Sequence, residues 1–248
     1  MSASSSPPAG CWFLKPPPPP RVTLVYVHPM TLESFQEPAA RFVSTFLAHP
    51  PGHPHRLLVV CNGNRAQPVT RRLFAPLADA GITPEYATHT NEGHDIGAYQ
   101  FASRTHSHAS DLMVFFGAST YFRRSGWLAR MVDAWHKHGD TLMGAMGHRG
   151  VPNGPAPHIR TTAFWLSPAL FNAYPLRITR ADQRYAFEHG HTCLTSWITS
   201  QGLTPLVVSW AGEHRWEEWD SHEGYHSGTQ SNLLVGDRMS APPFHHCV

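Results

Sequence analysis

The sequence predicts a single α/β domain with a mostly parallel, Rossmann-like central sheet flanked by helices. Strand and helix patterns alternate from residue 22 to residue 116, and this order is typical of a parallel sheet. The chain has 248 residues, of which 41% are hydrophobic, so it is long enough to bury a sizeable core. A turn at residues 91–97 carries two glycines and leads into a helical pattern, an arrangement that suits phosphate or ribose binding.

The first half of the chain alternates apolar runs with segments of helical spacing. Residues 22–27 and 56–61 are apolar and rich in β-branched side chains, which indicates buried strands. Gly81 follows a short helical pattern and is expected to end it. We therefore predict strands at residues 22–27, 56–61, 83–89 and 111–116, and helices at residues 32–48, 69–80 and directly after the glycine turn.

The second half of the chain continues the pattern less regularly. Trp127, Leu128, Met131 and Val132 place apolar side chains on one face of a helix at residues 126–138. From residue 211 onwards the chain is polar, rich in histidine and weakly periodic. We predict strands at residues 142–147, 158–166 and 206–208, and one long helix at residues 181–201.

Residues 1–20 are rich in serine and proline and end in five consecutive prolines, so we expect a disordered tail, with a peptide that docks on a partner as the alternative. The folded domain is expected at residues 21–248. The four cysteines form no CxxC pair, and those at 61 and 193 lie in apolar segments as buried small side chains. No apolar run approaches the roughly 20 residues of a membrane span, and no signal peptide is recognisable, so we expect a cytoplasmic protein.

Charge argues against a nucleic-acid partner. The formal net charge is +2, only 15% of the residues are charged, and no basic stripe is visible. Polar side chains instead follow three predicted strands, because His28, Asn62 and Asn91 stand at their carboxyl ends. Ligands of parallel sheets bind beyond these strand ends, so the three side chains are candidates for a nucleotide crevice.

Several segments occur in the order found in bacterial polysaccharide glycosyltransferases. They are Asn91-x-Gly93-x-Asp95-Ile96-Gly97, the apolar run 111–116, the segment 158–166, and a helix that carries Glu188 and ends at Gly202. On these residues the chain resembles the rhamnan synthesis protein F family, a branch of the GT-A-type glycosyltransferases. The resemblance covers about residues 22–210, and the N-x-G-x-D-I-G segment is its most specific part.

The resemblance implies a GT-A domain with a nucleotide half at about residues 21–120 and an acceptor half at about residues 121–248. It also implies a nucleotide-sugar donor and a glycan or small-molecule acceptor. The turn with Asn91, Gly93 and Asp95 would lie against the nucleoside, with Asp95 as a ribose or base contact. His28, Asn62 and Ser119 complete the predicted donor site.

One departure concerns the metal. GT-A enzymes usually carry an acidic metal-binding motif after the fourth strand, but Phe116-Gly117-Ala118-Ser119-Thr120 contains no carboxylate. A hard cation such as Mn²⁺ or Mg²⁺ needs oxygen ligands, preferably charged ones. Three readings stay open: catalysis without metal, metal ligands from elsewhere in the chain, or loss of activity.

Transfer of a glycosyl group needs a base for the acceptor hydroxyl and positive charge near the leaving diphosphate. Glu188 is the candidate base, since the resembling family has a glutamate in this helix. Arg123, Arg124, His158 and Arg160 are candidates for contacts to the diphosphate or the acceptor.

A late polar cluster supplies two weaker candidates. His222 and His226 have the i, i+4 spacing of a zinc site on a helix, although Gly224 argues against a stable helix there. Two alternatives to a glycosyltransferase therefore stay open. One is a GT-A-like protein that binds nucleotides or glycans without catalysis. The other is a metal-dependent hydrolase built on histidines and carboxylates, which lacks a tight motif such as HExxH.

Overall fold

An eight-stranded sheet forms the centre of the molecule. A computed structural model describes residues 18–30, 34, 36–150, 156–221, 230–238 and 240. The strands are β1 (Val22–Pro29), β2 (Arg56–Asn62), β3 (Glu85–His89), β4 (Leu112–Phe116), β5 (Tyr121–Phe122), β6 (Met143–Gly144), β7 (Gly147–His148), β8 (His158–Ile159), β9 (Ala163–Leu166), β10 (Leu206–Val208), β11 (Glu213–His214) and β12 (Val235–Gly236).

The order of the large sheet is β11-β10-β6-β9-β4-β1-β2-β3. Strands β3, β2, β1 and β4 are mutually parallel, and β10 is parallel to β6. Strand β9 runs antiparallel between β4 and β6, and β11 is antiparallel to β10. Two small antiparallel sheets pair β5 with β12 and β7 with β8. The predicted α/β fold with a mostly parallel sheet is confirmed.

Helices cover both faces of this sheet. They are α1 (Gln36–Ala48), α2 (Pro68–Phe74), α3 (His94–His106), α4 (Trp127–His138), α5 (Pro168–Asn172), α6 (Arg184–Glu188) and α7 (Leu194–Ser200). Alternation along β1 sends Leu24 and Tyr26 into a core under α1, α2 and α4. Val25 and Val27 enter a second core under α3, α5 and α7. Burial on both faces explains why the strands read as continuous apolar runs. None of the described helices is long and apolar enough to cross a membrane.

The predicted helix at residues 181–201 is wrong as a single element. A short 3₁₀ turn at residues 181–183 leads into α6, the chain leaves helical geometry after Glu188, and α7 starts only at Leu194. Gly190 lies so close to α6 that an added Cβ would sit 3.0 Å from the Ala186 Cα. The Cys193 side chain then caps α7 by accepting a hydrogen bond from the Ser196 amide.

Two predicted strands are also divided. Residues 158–166 form β8 and β9, which belong to different sheets, and residues 142–147 contribute to β6 and the start of β7. Both breaks occur where short strands change sheet, which a hydrophobic pattern alone does not reveal. The prediction for residues 1–17, like that for His222 and His226, lies outside the described residues.

Candidate active site

A cleft of about 620 Å³ opens at the carboxyl ends of the parallel strands. Pro29 ends β1, Asn62 ends β2, and residues 117–119 follow β4, and all of them line the cleft. Strand β1 has β2 on one side and β4 on the other. The connections that leave β1 and β3 therefore lead to opposite sides of β1, and the strand order changes direction between β1 and β4. Such a switch point is where open parallel sheets leave room for a ligand.

One wall of the cleft is a polar chain that links β2 to the glycine turn. The Asn62 side-chain amide donates to the Asn91 Oδ1 at 2.7 Å. The Asn62 Oδ1 contacts the His89 Nδ1 at 2.8 Å, and burial lowers the pKa of His89. Asn91 itself adopts a left-handed backbone with φ 73°. These hydrogen bonds fix the orientation of the Asn62 and Asn91 side-chain amides, which both line the cleft.

Charged side chains line another part of the cleft. The Arg184 Nε lies 3.1 Å from the Asp95 Oδ1, and the Nη2 of the same guanidinium lies 3.8 Å from the Glu188 Oε2. Thr161 donates its hydroxyl hydrogen to the Glu188 Oε1 at 2.5 Å. Burial raises the pKa of Asp95, Arg184 opposes the rise, and the neighbouring Glu188 adds to it.

The two glycines of the turn serve packing against protein. A Cβ on Gly93, where φ is +67°, would lie 2.3 Å from the Ile178 carbonyl oxygen. A Cβ on Gly97 would lie 1.8 Å from the Glu92 carbonyl oxygen and 3.1 Å from that of Ile178. The glycines therefore allow the start of α3 to pack against the backbone around Ile178. Gly93 does not line the cleft, so the structure gives it a supporting position beside the predicted donor site.

The loop after β4 is held by backbone contacts. Tyr26 donates its hydroxyl hydrogen to the Ala118 carbonyl at 2.8 Å, and burial raises the pKa of this tyrosine. The Gly117 amide and the Thr120 hydroxyl both donate to the Thr162 carbonyl. Ser119 is thus placed at the cleft by a rigid loop without a carboxylate.

The described residues do not fit a divalent cation at this position. They contain no group of three or more His, Cys, Asp or Glu side chains suited to holding a metal ion. The cleft carboxylates face arginines instead, Asp95 facing Arg184 and Asp237 lying 3.8 Å from Arg160. A hard cation prefers several oxygen ligands and no competing cation, whereas guanidinium groups favour phosphate oxygens.

The structure brings six of the predicted site residues to the cleft, namely Asn62, Asn91, Asp95, Ser119, Arg160 and Glu188. Glu188 is the last residue of the short helix α6, whereas the sequence predicted it inside one long helix at residues 181–201. His28 points to the other face of β1, where its buried ring lies near Tyr26 and Phe74. Strand alternation explains this position, because the neighbours Val27 and Pro29 line the cleft.

The other predicted cationic groups lie away from the cleft. Arg123 donates to the Gln230 carbonyl at 2.8 Å, and Arg124 lies over the Trp210 ring. His158 lines a smaller neighbouring cavity together with Arg160. Among the cationic candidates, the tertiary structure therefore places only Arg160 in the large cleft.

Sequence reasoning missed several residues of the cleft, including His94, Thr161, Thr162, Arg184, Asp237 and Arg238. The i, i+4 spacing of Arg184 and Glu188 was a usable signal for the first arginine. Asp237 and Arg238 follow β12, which pairs with β5, and no local pattern in the sequence announces this pairing.

No protein-family model and no curated protein matches the chain. Solved structures do resemble it. The mannosyltransferase PcManGT from Pyrobaculum calidifontis, in complex with GDP-Man and Mn²⁺, matches with a TM-score of 0.54 and 13% identity. The match covers 76% of this chain and 54% of that one, so the chain spans about half the length of the mannosyltransferase.

The chain has a GT-A glycosyltransferase fold. The galactosyltransferase LgtC, in complex with donor and acceptor sugar analogues, is also similar, with a TM-score of 0.49, 10% identity and coverage of 71% of this chain and 70% of that chain. Mouse xyloside xylosyltransferase 1 shares 10% identity with a TM-score of 0.42, over 74% of this chain and 82% of that one. At 13% identity, the likeness to the mannosyltransferase shows the fold alone, so the donor and the acceptor have to be inferred from the cleft.

Proposed function

We propose that the protein is a glycosyltransferase that moves a sugar from a nucleotide-sugar donor to a glycan or small-molecule acceptor. The observation that carries the proposal is the cleft at the switch point of a GT-A fold, which is lined by the amides of Asn62 and Asn91 and by the charged side chains of Arg184 and Glu188. The resemblance to the rhamnan synthesis protein F family points further, to polysaccharide biosynthesis.

The chemical groups of a nucleotide-sugar donor match the side chains that line the cleft. The nucleoside would lie against Asn62, Asn91 and Asp95, whose amide and carboxylate groups can bond base and ribose. Arg160, Arg184 and Arg238 line the same cleft and can contact the diphosphate. In this assignment residues 21–120 supply the nucleotide half, and the acceptor half at residues 121–248 supplies the cationic groups.

The transfer step assigns the base role to Glu188. The Glu188 carboxylate removes the proton from an acceptor hydroxyl, and the acceptor oxygen forms a bond to the anomeric carbon of the donor. The bond from that carbon to the diphosphate oxygen breaks, and its electron pair leaves with the nucleoside diphosphate. Guanidinium groups stabilise the negative charge that develops on the leaving group. No residue of this step depends on a bound metal ion.

The test is a thermal-shift screen of the protein against UDP, GDP, dTDP and CMP and their sugars, with and without Mn²⁺. A nucleotide at 100 times its dissociation constant should stabilise the folded state by about 2.7 kcal/mol. We expect one nucleotide to raise the melting temperature and Asn62→Ala to reduce the rise. Asn64→Ala is the matched control, because this exposed asparagine belongs to the following loop and does not line the cleft.

The same screen addresses the second candidate, a GT-A-like protein that binds a nucleotide or glycan without catalysis. The loop Gly117-Ala118-Ser119 favours it, because a GT-A enzyme usually has a carboxylate there. A nucleotide shift without release of free sugar or transfer product would support this candidate. No shift with any nucleotide or nucleotide sugar would contradict the glycosyltransferase and would leave, of the second candidate, only a protein that binds a glycan.

A further inference from the structure

A second cavity of about 270 Å³ adjoins the cleft. The two share Arg160, Thr161, Thr162 and Glu188 in their walls. The carboxylate that we propose as the base therefore stands at the junction between them. Asn62 and Asn91 line only the larger cleft, so a group bound in the second cavity would reach Glu188 without contacting these two residues.

Histidines form the rest of the described wall of this cavity, namely His148, His158 and His189. The first two face each other across the β7–β8 pair, and their rings stack with centroids 5.1 Å apart and an angle of 19°. His189 directly follows Glu188, and its ring lies 5.2 Å from that of His158. The backbone holds this loop as well, because the Ala156 amide donates to the His189 carbonyl at 2.9 Å.

Backbone contacts fix opposite tautomers for the stacked rings. The Nδ1 of His158 lies 2.7 Å from the Ala156 carbonyl oxygen, so this nitrogen carries the hydrogen and the Nε2 of the neutral ring is an acceptor. The Nδ1 of His148 instead accepts from the Gly150 amide at 3.0 Å, so its hydrogen is on Nε2. One ring of the pair thus carries a donor on Nε2 and the other an acceptor. A sugar hydroxyl needs both kinds of partner, since it donates one hydrogen bond and accepts others.

The charge of the cavity favours a neutral ligand. Burial lowers the pKa of His158 to about 4, so this ring is uncharged at neutral pH. Arg160 is the only arginine or lysine among the described lining residues, and it faces Asp237 at 3.8 Å. The Glu188 carboxylate lies in the same wall and would repel an anionic group.

We infer that this histidine-lined cavity is the acceptor subsite and that it takes a neutral pyranose, whose ring packs against the imidazole faces and whose reactive hydroxyl points to Glu188. The inference rests on the proposed glycosyltransferase function and adds the class of acceptor. His148, His158 and His189 are then contacts that select the acceptor, while the donor is bound in the larger cleft.

The experiment compares the wild-type protein with His158→Asn, His189→Ala and the control His136→Ala, an exposed histidine of α4. In His158→Asn the new amide can still donate to the Ala156 carbonyl, which protects the fold, while the ring and its Nε2 are removed. His189→Ala changes a half-buried side chain and serves as the second variant. The probes are methyl glycosides of glucose, galactose, mannose and rhamnose, and methyl glucuronoside as the anionic probe. The donor is the nucleotide sugar that gives the thermal shift.

We expect the KM for a neutral methyl glycoside to rise about tenfold in each cavity variant, which corresponds to the loss of one hydrogen bond of ordinary strength. The nucleotide-induced thermal shift should equal that of the wild type and of His136→Ala, because the donor is bound in the larger cleft.

Two results would overturn the inference alone, with the donor site intact. One is equal transfer by all variants, and the other is transfer to methyl glucuronoside in preference to every neutral probe. A wild-type protein that neither binds a nucleotide nor hydrolyses a nucleotide sugar would instead overturn the proposed function, and this inference with it.

Discussion

Glu188 is positioned before any substrate binds. The Thr161 hydroxyl donates to one carboxylate oxygen, and Arg184 lies 3.8 Å from the other. The remaining lone pairs of the carboxylate can meet an acceptor hydroxyl at the junction of the two cavities. These contacts distinguish Glu188 from a glutamate that is simply solvated at a helix end.

Glu188→Gln should lower the transfer rate by about 10²–10⁴-fold, because an amide cannot take up the proton of the sugar hydroxyl that attacks the donor. The amide can still accept the hydrogen bond from Thr161, so folding and nucleotide binding should be retained. Single-turnover assays and thermal shifts with the same nucleotide measure the two properties. A variant that transfers sugar at the wild-type rate would show that Glu188 is not the base.

The ionised carboxylate of Asp95 lowers the stability of the folded protein because it is buried in the cleft. Burial raises the pKa of this carboxyl, so the folded state binds its proton more tightly than the unfolded state does. The stabilising contribution of the protonated form is complete below the pKa of the unfolded chain and is lost as the pH rises through the raised pKa. Above its raised pKa the ionised Asp95 costs stability, and Arg184 offsets part of this cost.

Asp95→Asn should gain stability relative to the wild type between pH 4 and pH 7, while its nucleotide-induced thermal shift becomes smaller. Urea unfolding of both proteins at the two pH values measures the stability difference. Asp133→Asn on the exposed face of α4 is the control. If the difference between Asp95→Asn and the wild type does not change with pH, the carboxyl is not perturbed as described.

At the scale of elements, the start of α3 depends on close packing against the backbone around Ile178. Gly97→Ala would force a methyl group to within 1.8 Å of the Glu92 carbonyl oxygen, and this backbone cannot move without moving the turn that carries Asn91. We expect a loss of about 1–3 kcal/mol in unfolding free energy and a weaker nucleotide shift.

The control for Gly97→Ala is Gly212→Ala, where the nearest atoms belong to the movable His214 ring at 3.3 Å. Differential scanning calorimetry compares the two variants. If Gly97→Ala has the same melting temperature as the wild type, the glycine is not required for packing. It would then be required for another reason, such as the approach of a ligand to the start of the helix.

Helix α4 is joined to the edge of the sheet by one carboxylate. Glu213 on β11 contacts Arg130 at 2.6 Å, Lys137 at 2.6 Å and His138 at 3.3 Å, all on α4. Burial would raise the pKa of Glu213, but the hydrogen bonds from Lys137, Arg130 and His138 lower it to about 2. Its contribution to stability is therefore complete above the unfolded value near 4.5 and is lost as the pH falls through about 2.

Glu213→Gln should destabilise the protein by about 1–2 kcal/mol at pH 7, with part of the ion-pair energy screened by solvent. The difference from the wild type should shrink between pH 4.5 and pH 2. Guanidinium unfolding across this range measures it, and Glu217→Gln at an exposed position is the matched control. A constant difference at all pH values would contradict the role of the charge.

At the scale of the whole molecule, the two proposed halves share one sheet. Strand β9 from the second half lies beside β4 from the first, and one core joins Val22 and Leu57 to Met143 and Leu206. Neither half could keep its core if the other unfolded. The halves are therefore functional assignments within one folding unit.

We expect urea unfolding to occur in one transition. Apart from Trp12, every tryptophan lies after residue 120, so tryptophan fluorescence reports on the second half. Far-UV circular dichroism reports on the helices of both halves. The two curves should coincide, as in a two-state transition, and separate midpoints would show that the halves unfold independently.

The sequence by itself determined the alternation of strands and helices in the first half and therefore the parallel sheet, because periodicity is a local property of the chain. It also pointed to Asn62 and Asn91, since residues at the ends of parallel strands meet at one edge of the sheet. The resemblance added Asp95 and Glu188.

Only the tertiary structure decided the rest. Strand β1 turns His28 away from the cleft, and the break after α6 places Glu188 at the junction of two cavities. Arg184 contacts Asp95, and Asp237 lies near Arg160, although both pairs are far apart in the sequence. These contacts depend on how short strands exchange sheets and how loops pack, and no pattern within a few residues encodes such long-range pairings.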